Sequence, residues 1–86
     1  MAHVKVYTTP ICPYCMQAKT LLKNKGADFE EIGMHDLSPA DLQALMQKTN
    51  NYRTVPQIFI GDTFVGGFDQ LAALEREGKL DAMLAQ

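Results

Sequence analysis

The chain has 86 residues, eight of them basic and ten acidic, for a formal net charge of -2, and it is 47% hydrophobic and 21% charged. No positive stripe could follow a phosphate backbone, no apolar run reaches membrane-spanning length, and Met1 to Tyr7 lacks the basic start and long apolar stretch of a secretory signal. These features exclude nucleic acid and membrane as partners and lead us to expect a single cytoplasmic domain over residues 1–86, since no glycine- or serine-rich linker divides it.

Val4, Val6 and Tyr7 form a β-branched and aromatic run bounded by Thr8-Thr9-Pro10, which reads as a buried first strand. After Cys12, Pro13 suits the first helical position because its missing N–H is not needed there. Cys15, Ala18 and Leu22, with Tyr14 and Leu21, recur at helical spacing as far as Gly26, a natural stop. Phe29 to Ile32 make a second short strand, so strand, helix and strand compose one right-handed crossover with parallel strands. Ser38-Pro39-Ala40-Asp41 has the cap, proline and acid of a helix start, with Leu42, Leu45 and Met46 as its inward face.

Gln57-Ile58-Phe59-Ile60, Gly61-Asp62 and Thr63-Phe64-Val65 read as an antiparallel hairpin in which glycine takes the positive φ of the turn. Asp69 can cap a third helix carrying Leu71 and Leu74, and Gly78 separates it from a last amphipathic turn with Leu80, Met83 and Leu84. The order β-α-β-α-β-β-α predicts an α/β, thioredoxin-like fold: a mixed four-stranded sheet with helices on both faces, its strands too apolar to leave a face in water. Tyr7, Phe59 and the methionines, Met16 and Met46 among them, are assigned to the core.

Two cysteines in a reducing compartment point to chemistry rather than to a structural bridge. Cys12 falls where the first strand has ended and the first helix begins, so the unpaired amides of Tyr14 and Cys15 can donate to its sulfur. The helix N-terminus adds roughly half a positive charge, which favours the thiolate. Thiols in such motifs have pKa values of about 3.5 to 7.5, so Cys12 is expected to be an anion near neutral pH. Cys15 lies one turn further in, less exposed and less acidic, within reach of a disulfide. Cys12 then attacks a target disulfide, and Cys15 releases the product by striking the Cys12 sulfur. The competing reading of a C-x-x-C, half of a zinc site, lacks ligands: only His3 and His35 remain, without paired spacing, so no metal is expected.

Cys12-Pro13-Tyr14-Cys15 is similar to the active site of dithiol glutaredoxins of the small bacterial type. Two further segments agree, in the expected order: Arg53-Thr54-Val55-Pro56 before a strand resembles that family's substrate loop, and Gly66-Gly67-Phe68-Asp69 at a helix start resembles its γ-glutamyl site. The resemblance implies a glutathione-dependent thiol-disulfide oxidoreductase acting in redox homeostasis, with Cys12 and Cys15 as a redox-active pair reset by glutathione as co-substrate. It implies a cis Pro56, with Val55 offering its backbone to the cysteinyl part of glutathione, Arg53 its charge to the glycine end, and Gly67, Phe68 and Asp69 the γ-glutamyl contacts. Tyr14 and Thr54 complete the groove. On the residues alone, Pro56 equally fits a rigid loop, Arg53 a solvated surface side chain and Asp69 a helix cap.

Partners implied are disulfide-bonded or glutathionylated proteins, ribonucleotide reductase among the family's clients, with the chain acting as a monomer. Two departures stand out. Thr9-Pro10-Ile11 precedes Cys12 where many relatives carry a lysine, and Gln70 stands where they carry an acid that faces the glutathione ammonium. Rival readings are an iron-sulfur carrier bridged through Cys12 and a redoxin reset by a flavoprotein reductase. Pro13 with a second thiol speaks against the first, and Gly66-Gly67-Phe68-Asp69 against the second.

Overall fold

The computed structural model describes residues 2–86. Strand β1 (Val4–Thr8) leads through an extended loop to helix α1 (Pro13–Asn24), then to β2 (Phe29–Gly33) and a 3-10 turn over Met34–Asp36. Helix α2 (Pro39–Lys48), the hairpin β3 (Gln57–Ile60) and β4 (Thr63–Gly66), α3 (Phe68–Arg76) and the short α4 (Leu80–Leu84) complete the chain. The strands form one sheet in the order β2-β1-β3-β4. β1 runs parallel to β2 and antiparallel to β3, and β4 is antiparallel to β3 with an irregularity between Ile58 and Phe59. This is the mixed thioredoxin-like arrangement that the order of apolar runs predicts.

Alternation along the central strands sorts side chains to two sides. Val4 and Val6 of β1 with Ile58 and Ile60 of β3 point into the main core, where Ala18, Leu22, Leu71, Leu80 and Leu84 meet them. Gln57 and Phe59 alternate to the opposite side, where Phe59 meets Tyr7 edge-on at 5.9 Å and Leu45 of α2 is buried. The helix starts follow local chemistry: Pro13 and Pro39 occupy first-turn positions, and Ser38 Oγ accepts from the Asp41 N–H at 3.1 Å. Gly61 sits at φ +60 in the β-hairpin turn, a conformation that costs glycine least.

Three expectations need correction. β2 lies at the sheet edge and leaves Glu30 and Glu31 in water, so it is not too apolar to be exposed; its pairing with β1 is enough to hold it. Met16 is 65% exposed and Met46 36% exposed, hence neither fills the core; the inward face of α2 is narrowed to Leu45 with a half-buried Leu42. Helix α3 begins at Phe68 with Gly67 as its cap, which puts Asp69 inside the first turn instead of at the cap. The Gln70 side chain takes the capping role, its Oε1 accepting from the Gly67 N–H at 2.9 Å. No helix of the described residues is long and apolar enough to cross a membrane.

Candidate active site

β1 delivers the chain to the open end of the sheet, and α1 starts at once beyond Cys12. With φ -150 and ψ 96, Cys12 is the extended cap of that helix, and its Sγ accepts from the Cys15 backbone N–H at 3.0 Å. The cap position is usually held by a serine or aspartate oxygen, so sulfur here takes the place of an acceptor that helix starts select for. Cys15, on the inner face of α1, is 2% exposed, whereas Cys12 is half-buried. Their sulfurs are joined as a disulfide, with the Cα atoms 5.2 Å apart, so one helical turn brings the two thiols together without moving the backbone.

Opposite Cys12, the loop between α2 and β3 brings the Val55 carbonyl oxygen to 3.8 Å from Cys12 Sγ, and the Val55–Pro56 peptide bond is cis. Two buried polar side chains hold this loop. Gln57, 2% exposed, donates through Nε2 to the Tyr52 carbonyl at 3.0 Å and the Thr54 carbonyl at 3.2 Å, while Thr49 Oγ1 accepts from the Tyr52 N–H at 3.3 Å. Between the loop and the start of α3 runs a groove of about 330 Å³, lined by Tyr14, Thr54, Val55, Pro56, Gly67, Phe68 and Asp69, and also by Tyr52 and Gln70. Tyr14 is 58% exposed and stacks on Phe68 with ring centroids 6.4 Å apart, which closes the groove at the α1 end.

Cys12 and Cys15 do not line this groove themselves, and of the residues that the resemblance assigns to glutathione contacts Arg53 is the one not among its lining; it is exposed. Tyr52, its neighbour, lines the wall instead. A polar cluster on the other side of the thiols has no motif to announce it: Thr8 Oγ1 donates to Glu31 Oε2 at 3.0 Å and Lys19 Nζ to the same oxygen at 3.0 Å. The Lys19 ammonium, then the Thr8 hydroxyl, hold the Glu31 carboxyl below the ordinary range. These three line a cavity of about 460 Å³ with Cys12, Cys15 and His35. Alternation in β1 and the helical repeat in α1 could have placed Thr8 and Lys19 beside Cys15, since Lys19 follows Cys15 by one turn.

The arrangement sets a half-buried sulfur, through its approach to Val55, beside a groove with backbone polar groups on one wall and a helix start on the other. It suits a nucleophilic sulfur that receives an extended, anionic, cysteine-bearing molecule. The glutaredoxin family model matches residues 4–65. A glutaredoxin of Pseudomonas aeruginosa is 54% identical over 85 residues, covering 99% of each chain. The solution structure of glutaredoxin from Brucella melitensis superposes with a TM-score of 0.81 at 54% identity, over 98% of this chain and 89% of that one. A buckwheat glutaredoxin-glutathione complex superposes with a TM-score of 0.85 at 36% identity, over 98% of this chain and 77% of that one.

Proposed function

The chain belongs to the glutaredoxin family, a family of thiol-disulfide oxidoreductases, and on that premise we propose how its residues divide the work. Glutathione is the co-substrate, as the complex formed by the buckwheat relative supports. Cys12 is the nucleophile and Cys15 the resolving thiol. In the reduced protein the Cys12 thiolate attacks a disulfide sulfur of the substrate, a bond forms between the two sulfurs, and the other half leaves as a thiolate that takes a proton from water. With a glutathionylated protein the glutathione moiety stays on Cys12, and a second glutathione thiolate removes it as glutathione disulfide. With a protein disulfide, Cys15 gives up its proton, attacks the Cys12 sulfur and frees the reduced protein, leaving the Cys12–Cys15 disulfide for glutathione to reduce. The observation that carries this division is the pair of sulfurs at one helix start, one capping it, half-buried and beside Val55 of the groove, the other buried.

Glutathione lies along the groove, its cysteinyl backbone on Val55 beside Pro56 and Thr54, its γ-glutamyl end at Gly67, Phe68 and Asp69, and its middle over Tyr14. Arg53, from the outer side of the loop, supplies charge to the glycine carboxylate by swinging over the rim. Residues 1–86 act as one domain and as a monomer in the cytoplasm, on disulfide-bonded and glutathionylated proteins, ribonucleotide reductase being one such client. Turnover of a small glutathione mixed disulfide, coupled to glutathione and its reductase, tests the reading. Absence of turnover by the pure reduced protein overturns it.

A further inference from the structure

The donors at the start of α3 are not all available. Gly67, the cap, has its N–H committed to Gln70 Oε1 at 2.9 Å, so an anion arriving there meets the amides of the first helical turn but not the one that precedes it. Tyr52 stands at that place. A Cβ built on Gly67 would lie 2.9 Å from Tyr52 Oη, which puts the phenol hydroxyl against the cap from the opposite wall. Among the described residues this hydroxyl has no hydrogen-bond partner, so its proton is free to be donated.

Its position is fixed in advance. The Tyr52 N–H bonds to Thr49, the Tyr52 carbonyl is held by buried Gln57, and the ring packs edge-on against Phe64 with centroids 5.2 Å apart. A donor held by three contacts loses little freedom when a ligand binds, which makes its hydrogen bond more effective than that of a swinging side chain. We propose that Tyr52 is a ligand-binding residue of the groove, whose hydroxyl donates to the α-carboxylate of the γ-glutamyl group at the start of α3. The inference rests on the glutathione reading above and adds a specificity residue to it: Tyr52 selects γ-glutamyl thiols over cysteinyl thiols that lack that carboxylate.

The test compares Tyr52→Phe with the unaltered protein on two substrates, the mixed disulfides of 2-mercaptoethanol with glutathione and with cysteinylglycine. Tyr52→Phe keeps the ring on Phe64, and an unchanged melting temperature verifies that the loop survives. A hydrogen bond to a carboxylate is made alike in the bound substrate and in the transition state, so KM for the glutathione substrate is expected to rise by about tenfold with kcat unchanged. KM for the cysteinylglycine substrate is expected to stay the same. An unchanged KM for the glutathione substrate, or an equal rise for both substrates, overturns the role of Tyr52 while leaving the oxidoreductase reading intact. If the unaltered protein turns over neither substrate, both fall.

Discussion

The backbone N–H of Cys15 donates to Cys12 Sγ across 3.0 Å, so the residue that carries the second thiol also steadies the first. The bond comes from the main chain of Cys15 and survives when its side chain is changed. Cys15→Ser is therefore expected to keep removal of glutathione from protein thiols while losing the dithiol reduction of protein disulfides. Cys12→Ser is expected to abolish both. Loss of deglutathionylation in Cys15→Ser would reverse the assignment.

The same cap bond and the amides around it favour the anionic form of the Cys12 sulfur. In the reduced protein, alkylation of Cys12 by iodoacetamide is expected to proceed at nearly its full rate well below pH 8. Cys15, buried on the inner face of α1, should react far more slowly at every pH. A rate for Cys12 that rises only near the ordinary thiol value of about 8.5 would contradict the helix-start argument.

Glu31 gives the fold a dependence on acid. Lys19 and Thr8 hold its carboxyl below the ordinary value of 4.5, so the unfolded chain takes up this proton at a higher pH than the folded one. The stabilisation is complete above the unfolded value and disappears as pH falls through the folded one. The side chain is 43% exposed, so water screens the pair and the contribution is under about 1 kcal/mol. Melting of Glu31→Gln should lie below that of the unaltered protein at pH 6 and converge with it as pH drops below 4. Parallel curves over that range would show that Glu31 contributes nothing through its charge.

In the core, Leu22 is wholly buried between α1 and the sheet, among Val4, Val6, Ile58 and Leu71. Leu22→Ala removes that contact area and leaves a void that the sheet cannot close, at a cost of about 2 to 5 kcal/mol in denaturant unfolding. Thiol chemistry at Cys12 should persist wherever the variant is still folded, because the cap bond lies two turns away. A loss under 1 kcal/mol would mean that the helix shifts to fill the space.

How far the sequence could be read follows from which contacts are local. Cys12 is recognisable because a strand end, a proline and a helix repeat all lie within a few residues of it, and the start of α2 carries a similarly local signal in Ser38, Pro39 and Asp41. The start of α3 does not: Gln70 reaches back to Gly67, a choice between two possible caps that spacing leaves open, and α4, with Lys79 at its cap position, has no side-chain cap at all. Tyr52 and Gln57 were not legible as parts of the site, because their roles depend on an irregular loop folding back over the end of β3. Glu31 was hidden for a different reason: an acid on an edge strand looks like ordinary surface until parallel pairing to β1 sets it beside Thr8. Met16 is exposed although methionine commonly fills core gaps, because residue type alone does not show which face of α1 is buried.

Gly67 is needed for room and not for its backbone angle. Its φ is -96, which any residue adopts, but a Cβ there would sit 2.9 Å from Tyr52 Oη and 3.5 Å from the Pro56 carbonyl oxygen. The Tyr52 ring cannot retreat freely, since its backbone is tied to Thr49 and Gln57 and its edge rests on Phe64. Gly67→Ala should therefore cost about 1 to 3 kcal/mol, in the range of overpacking, and should narrow the groove enough to raise KM for glutathione substrates. In the Tyr52→Phe background the offending oxygen is gone, and the same alanine should cost less than about 1 kcal/mol. The double-mutant cycle, read by denaturant unfolding, thus predicts a non-additive pair. Strict additivity would mean that the two residues do not touch, and that the glycine is required by something else at the head of α3.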